Sequence, residues 1–242
     1  MTGLASNSLL LTAVFAGAFV SGLGGFAFSA VAGAILLHIL PPLEAVPLMM
    51  ACSVGVQGAN LWALRNNIRW KASLILIVGG LLGIPIALYL LQNVDTGIFR
   101  AGFGAVVSIY AGYMLFRPAL TQLRKMEGPG HLVVGFGGGL IGGLTAMPGA
   151  LPTIWCDMHG LPKDQQRGLV QPFIAAMQLF SLALILSRSS VPSKVMIDFF
   201  ISLPALAAGT ALGIFMFRSI NEALFRRIIL ILLLLSGLAL VV

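Results

Sequence analysis

Gln57 and Asn60 lie three residues apart in an apolar run, and Ser53 stands one turn before Gln57. On a helix, residues three or four apart share a face, so these polar groups form one stripe. A later apolar run carries Gln171 and Gln178, seven apart and again on one face. Pro172 loosens that helix and frees a backbone carbonyl. Neutral amides and hydroxyls donate hydrogen bonds without trapping a ligand as a full charge would, which suits a small anion. The same groups also hydrogen-bond between helices, and the residues alone leave both roles open.

Two glycine clusters form the second constellation, Val20-Ser-Gly-Leu-Gly-Gly-Phe26 and Gly135-Phe-Gly-Gly-Gly-Leu-Ile-Gly-Gly143. Glycines let helices approach closely. They also break helices, and a helix start carries partial positive charge that attracts anions. At bilayer depth a break is tolerated only where it is buried in protein or lines a cavity. Paired breaks are the best sequence pointer to a transporter's binding site. The expected donors are therefore Ser21, Gly24 and Gly25 with Gly142, Gly143 and Thr145, completed by Ser53, Gln57, Asn60, Gln171 and Gln178.

Other chemistries find little support. Gly137-Gly-Gly139-Leu-Ile-Gly142 fits the dinucleotide fingerprint in spacing, but no βαβ context surrounds it. There is no HExxH, P-loop or GxSxG. Ser21 with His38 or His159 offers no geometry for a hydrolase, so no enzyme is expected. His38 and His159 are candidates for proton relay or for plain interfacial side chains. Glu44, Asp95, Asp164, Asp198 and Glu222 sit at expected helix starts, where negative charge is favourable. No mid-span carboxylate appears; if protons are coupled, the anion itself carries them. Cys52 and Cys156 read as buried small hydrophobes and make no metal or redox motif. No cofactor is expected.

These groups must be held by membrane helices. Of 242 residues, 59% are hydrophobic and 9% charged, which excludes a soluble domain. The net charge of +7 does not indicate nucleic acid, because the basic residues fall at helix ends, where lipid headgroups lie. Met1–Ser8 lacks the basic flank of a cleaved signal peptide. Apolar segments run over Leu9–Leu40, Ala45–Leu64, Ala72–Leu91, Ile98–Phe116, His131–Cys156, Leu169–Leu186, Val195–Phe217 and Ala223–Val242. Most match the ~20 residues that span a bilayer. Leu9–Leu40 is too long for one span and is expected to fold back at Ser21–Gly25. His131–Cys156, with Pro148 and Pro152, reads as the equivalent hairpin.

The halves echo one another in order. Phe19–Gly25 matches Phe136–Gly143, Pro42-Leu-Glu44 matches Pro162-Lys-Asp164, Gly83-Ile-Pro-Ile-Ala-Leu88 matches Gly209-Thr-Ala-Leu212, and Phe99-Arg100 matches Phe225-Arg226. Duplication and fusion account for that. The positive-inside rule then sets orientation. If the first and fifth segments each cross once, Arg65, Arg69, Lys71, Arg117, Arg124, Lys125, Arg188 and Lys194 lie inside, eight against six. If both fold back, Lys163, Arg167, Arg218, Arg226 and Arg227 join the inside while Arg188 and Lys194 leave, giving eleven against three. The second arrangement makes each half a hairpin plus three spans, so the halves are inverted and both termini lie outside. The expected fold is an all-α polytopic membrane protein of two inverted repeats. Residues 1–117 form the N-terminal repeat, 118–130 a cytoplasmic linker and 131–242 the C-terminal repeat.

The Gly-rich first segment, the Pro-led second span, Ala51-Cys-Ser53, and Asn60-Leu-Trp-Ala-Leu-Arg-Asn-Asn-Ile-Arg-Trp70 together resemble the TauE/SafE-type sulfite exporter family. Asn67-Ile-Arg-Trp70 matches a basic, Trp-closed loop seen in its members. The resemblance runs over essentially the whole chain. It implies export or uptake of sulfite, sulfonates or related small sulfur or organic anions across the bacterial inner membrane. The expectation is a multi-pass secondary transporter of a small anion, working by alternating access. Its partners are that anion and the lipid bilayer, not nucleic acid; assembly into a homo-oligomer stays open. A non-transport subunit, a maturation factor and an anion channel are the alternatives.

Overall fold

The computed structural model describes residues 3–24, 27–65, 67–116, 128–188 and 192–216, together with 227, 230, 231, 233–235, 237, 238 and 240. Gly25, most of the 118–130 linker and much of the last expected span lie outside the described residues. The order is α1 (Gly3–Gly24), α2 (Phe28–Ile39), α3 (Pro42–Leu64), α4 (Trp70–Asn93), α5 (Thr96–Phe116), α6 (Gly128–Thr145), α7 (Ala150–Met158), α8 (Lys163–Arg188) and α9 (Ser193–Met216). The architecture is all-helical among the described residues.

Four of these helices, α4, α5, α8 and α9, are long and apolar enough to cross a membrane. Leu74, Val78, Leu82, Ile86 and Tyr89 form an exposed stripe down α4 at helical spacing, and Ile197, Phe200 and Phe215 are exposed on α9. An apolar face of that extent needs lipid to cover it. Trp62 and Trp70, exposed on either side of the α3–α4 turn, have the amphipathic character of interfacial residues.

The glycines explain the closest packing. α6 lies along α4, and α1 lies along α9. In the first pair Gly135 faces Leu76, Gly139 faces Gly80 and Gly143 faces Ile84 and Ala87, so contacts advance together along both helices. In the second, a Cβ on Gly22 would lie 2.8 Å from the Thr210 carbonyl oxygen and 3.1 Å from Gly213 Cα. This is backbone-on-backbone packing of the small-xxx-small kind. The cluster at 135–143 therefore does not break its helix: α6 runs unbroken through it to Thr145. Pro148 sets the break instead. A proline disfavours the α conformation in the residue before it and supplies no N–H. Chain direction reverses after Ala146, which sits in the left-handed region at φ 56°.

Cross-ties fix the middle of the molecule. At the start of α4, the Arg69 N–H donates to the Gly168 carbonyl at 3.0 Å. The Arg69 guanidinium donates to Gln165 Oε1 at 3.2 Å. Ser73 Oγ donates to the Leu169 carbonyl at 2.8 Å. These bring the start of α8 to the end of α3. At the other end, Lys194 Nζ on α9 meets Glu44 Oε2 on α3 at 2.8 Å and Asp198 at 3.9 Å. The two central helices α3 and α8 thus lie side by side and run in opposite directions.

Candidate functional site

Two short helices start at the wall of one cavity. α2 begins at Phe28 after Ala27, whose φ of 79° and ψ of 8° place it in the left-handed region. α7 begins at Ala150 after Gly149. The first N–H groups of a helix have no carbonyl partner within it. A Ser, Thr, Asp or Asn side chain ordinarily caps them. α5 shows this: Asp95 Oδ1 accepts from the Gly97 N–H at 2.7 Å and from the Ile98 N–H at 3.3 Å. Neither α2 nor α7 has a side-chain cap. The residues at those cap positions, alanine and glycine, have no oxygen to offer. At α2 the donors and the positive helix-end charge are left at the cavity, the arrangement that binds anions elsewhere. At α7 the Ala150 N–H already donates to the Met147 carbonyl at 3.2 Å and Pro152 has no N–H, so that start contributes its dipole.

The cavity is small; with its open mouth counted in, the empty space between its walls is about 330 Å³. Ala27, Phe28 and Ser29 from the start of α2 form one wall, and residues 146–150 the opposite one. Between them, α3 contributes Ser53 and Gln57, α8 contributes Ile174 and Gln178, and α5 contributes Tyr110. No Lys, Arg, His, Asp or Glu lines it among the described residues. Gln178 Nε2 donates to the Ala146 carbonyl at 3.3 Å, tying α8 to the reversal. Gln166 Nε2 donates to the Thr153 carbonyl at 3.0 Å and holds α7 against the same helix.

Of the residues singled out in the sequence, Ser53, Gln57 and Gln178 come together here. None of the other described candidates lines the cavity. Ser21 is buried within α1 and Asn60 within α3, further along the stripe. Gly24 ends α1. Gly142 packs on Pro148, where a Cβ would come within 2.5 Å, and Gly143 on Ala87 of α4, within 2.6 Å. Thr145 Oγ1 donates to the Ile141 carbonyl four residues back at 2.7 Å, a bond within α6. Gln171 is buried in α8, two turns from Gln178. His159 Nδ1 lies 2.8 Å from the Trp155 carbonyl, and its ring sits 4.2 Å from the Trp155 ring. His38 is exposed. Cys52 and Cys156 are free thiols and buried, as expected.

Sequence reasoning passed over Ser29, Tyr110 and the stretch 146–149. Ser29 is a hydroxyl just past the first cluster and Tyr110 one inside an apolar span, so both carried a signal. Ala27 and Ala146 carried none, because nothing in an alanine announces a positive φ. Ala27 directly precedes α2, and Ala146 directly follows α6.

Against known proteins, the model of a family described as Sulfite exporter TauE/SafE matches residues 9–240. No curated protein and no solved structure matches the chain.

Proposed function

The chain belongs to the sulfite exporter TauE/SafE family, and from that premise we propose that it is a secondary transporter moving a small sulfur or organic anion, sulfite or a sulfonate, by alternating access. The observation that carries the reading is the pair of uncapped helix starts, α2 and α7, facing one cavity together with Gln57 and Gln178. Such a wall stabilises negative charge through fixed dipoles and neutral donors. No opposite full charge stands there to hold the ion, so release toward either side stays accessible.

Inverted repeats fit the pairing of helices. Counting from each hairpin, α1 corresponds to α6, α3 to α8 and α4 to α9. Exchanging the halves turns the α1–α9 pair into the α6–α4 pair, and the antiparallel α3–α8 pair into itself. The two cross-ties are exchanged likewise, Arg69 with Gln165 for Lys194 with Glu44. Rocking of one repeat on the other would open one tie as it closes the other. On this reading residues 1–117 and 131–242 are the repeats. The positive-inside rule places the Lys194–Glu44 end outside a bacterial inner membrane.

Counterflow tests the function. Proteoliposomes holding the purified chain and unlabelled sulfite should accumulate radiolabelled sulfite transiently against its gradient. A non-transport subunit gives no uptake, and a channel gives voltage-driven current that does not saturate; either result overturns the proposal.

A further inference from the structure

We propose that the ion taken by this cavity carries a proton on oxygen: a singly protonated oxyanion of the hydrogensulfite kind, in preference to a fully deprotonated one. The inference rests on the reading above that the cavity binds an anion. It comes from the Gln178 amide oxygen, which an anion alone leaves unserved; the Gln57 amide has no neighbour that fixes its orientation. Gln57 and Gln178 are each 2% exposed, both line the cavity, and the Oε1 of each is buried without a hydrogen-bond partner. Which way the Gln178 amide points is fixed by its neighbour. The Ala146 carbonyl can only accept, so Nε2 must face it and Oε1 is the atom left over.

An amide oxygen accepts and never donates. Beside a fully deprotonated oxyanion it would set lone pair against lone pair. Buried acceptors are satisfied as a rule, so the ligand side should present a donor. A metal cation would also serve two carbonyl oxygens, but the two helix starts on the same walls repel positive charge. A ligand with several acceptor oxygens and one O–H satisfies both halves of the wall. The N–H groups at the start of α2 and the dipoles of both helix starts hold its charged oxygens, and a glutamine oxygen accepts a hydrogen bond from its O–H. Ser29 Oγ, buried in the wall without a partner, turns either way.

The proton need not come from the protein. α2, α3, α8 and residues 146–150 present no ionisable side chain to the cavity, and α5 presents the Tyr110 phenol. The proton therefore travels on the ion, one per turnover, with no carboxylate relay.

Calorimetric titration of the full chain in detergent tests this with three probes. Sulfite exchanges its last proton near neutral pH, methanesulfonate is a single anion without O–H, and sulfate is a dianion throughout. Affinity for total sulfite should be flat on the acid side of that ionisation and fall about tenfold per pH unit on the alkaline side. Methanesulfonate should bind at least about tenfold more weakly than hydrogensulfite, with no pH dependence, and sulfate more weakly still. Gln178→Leu and Gln57→Leu should shrink the gap between hydrogensulfite and methanesulfonate. Methanesulfonate binding as tightly as hydrogensulfite overturns the inference and leaves the anion site standing. So does sulfite affinity that rises with pH, or binding that is lost when N-methylglucamine replaces sodium. No binding of any probe at any pH overturns both.

Discussion

Replacing Gly22 by valine separates the two uses a glycine cluster can have. The Gly22 face of α1 meets backbone alone, with a would-be Cβ 2.8 Å from the Thr210 oxygen, 3.1 Å from Gly213 Cα and 3.2 Å from Ile214 N. No flexible side chain is there to swing away, so α1 and α9 must separate. Overpacking of this kind costs about 1–3 kcal/mol. For a chain of this length each kcal/mol moves the melting point by about 2–4 °C. Gly22→Val should therefore melt roughly 2–12 °C lower. Gly112 on α5 is the control, since a Cβ there meets nothing within 4 Å. Gly112→Val should stay within about 0.5 kcal/mol of the parent chain. The molecule supplies its own probe: Cys52 and Cys156 are buried thiols, so a thiol-reactive dye reports unfolding. Anion affinity of folded Gly22→Val should match the parent, because Gly22 is outside the cavity. Unchanged melting, or equal damage at Gly112, would refute the claim that these glycines serve helix contact.

Ala146→Val puts a branched side chain at φ 56° and should destabilise by about 1–3 kcal/mol, while Ala146→Gly should melt at or above the parent temperature; equal losses would mean the backbone is not in that region. Ser73→Ala removes the buried tie to the Leu169 carbonyl and should cost about 1 kcal/mol by the same dye melt; no loss means α4 and α8 do not meet there. Glu44→Gln leaves a pair whose lysine is 56% exposed, so the loss should be about 0–1 kcal/mol, and a larger drop would place the pair away from water. Gln57→Ala and Gln178→Ala should each lower sulfite counterflow about tenfold or more with helical circular dichroism kept; normal transport in both moves the site elsewhere.

The helical class and the membrane setting were legible because apolar runs of spanning length need no partner to be read. The amides at 57 and 178 were legible for a similar reason: a polar side chain inside such a run stands out. Where the chain reverses was harder. Both glycine clusters looked like breaks, yet Gly135–Gly143 stays helical, because Gly135, Gly139 and Gly143 on one face of α6 pack against the Gly79, Gly80 and Gly83 side of α4. That match is a tertiary fact, invisible to local pattern. Pro148 held the local signal for the second reversal, and it lies just past the cluster that drew attention. Thr145 and Gly143 were expected in the site because they border the cluster. Their helix instead turns Thr145 back on Ile141 and Gly143 onto α4. The missing caps at Ala27 and Gly149 became meaningful only once both helix starts were seen on one cavity.

A structure determined with a heavy singly charged oxyanion such as hydrogenselenite tests the central claim most directly. Anomalous density should lie between the starts of α2 and α7, within hydrogen-bonding distance of the first-turn N–H groups of α2 and of Gln57 or Gln178. Density elsewhere, with those helix starts facing lipid or each other's side chains, would contradict it.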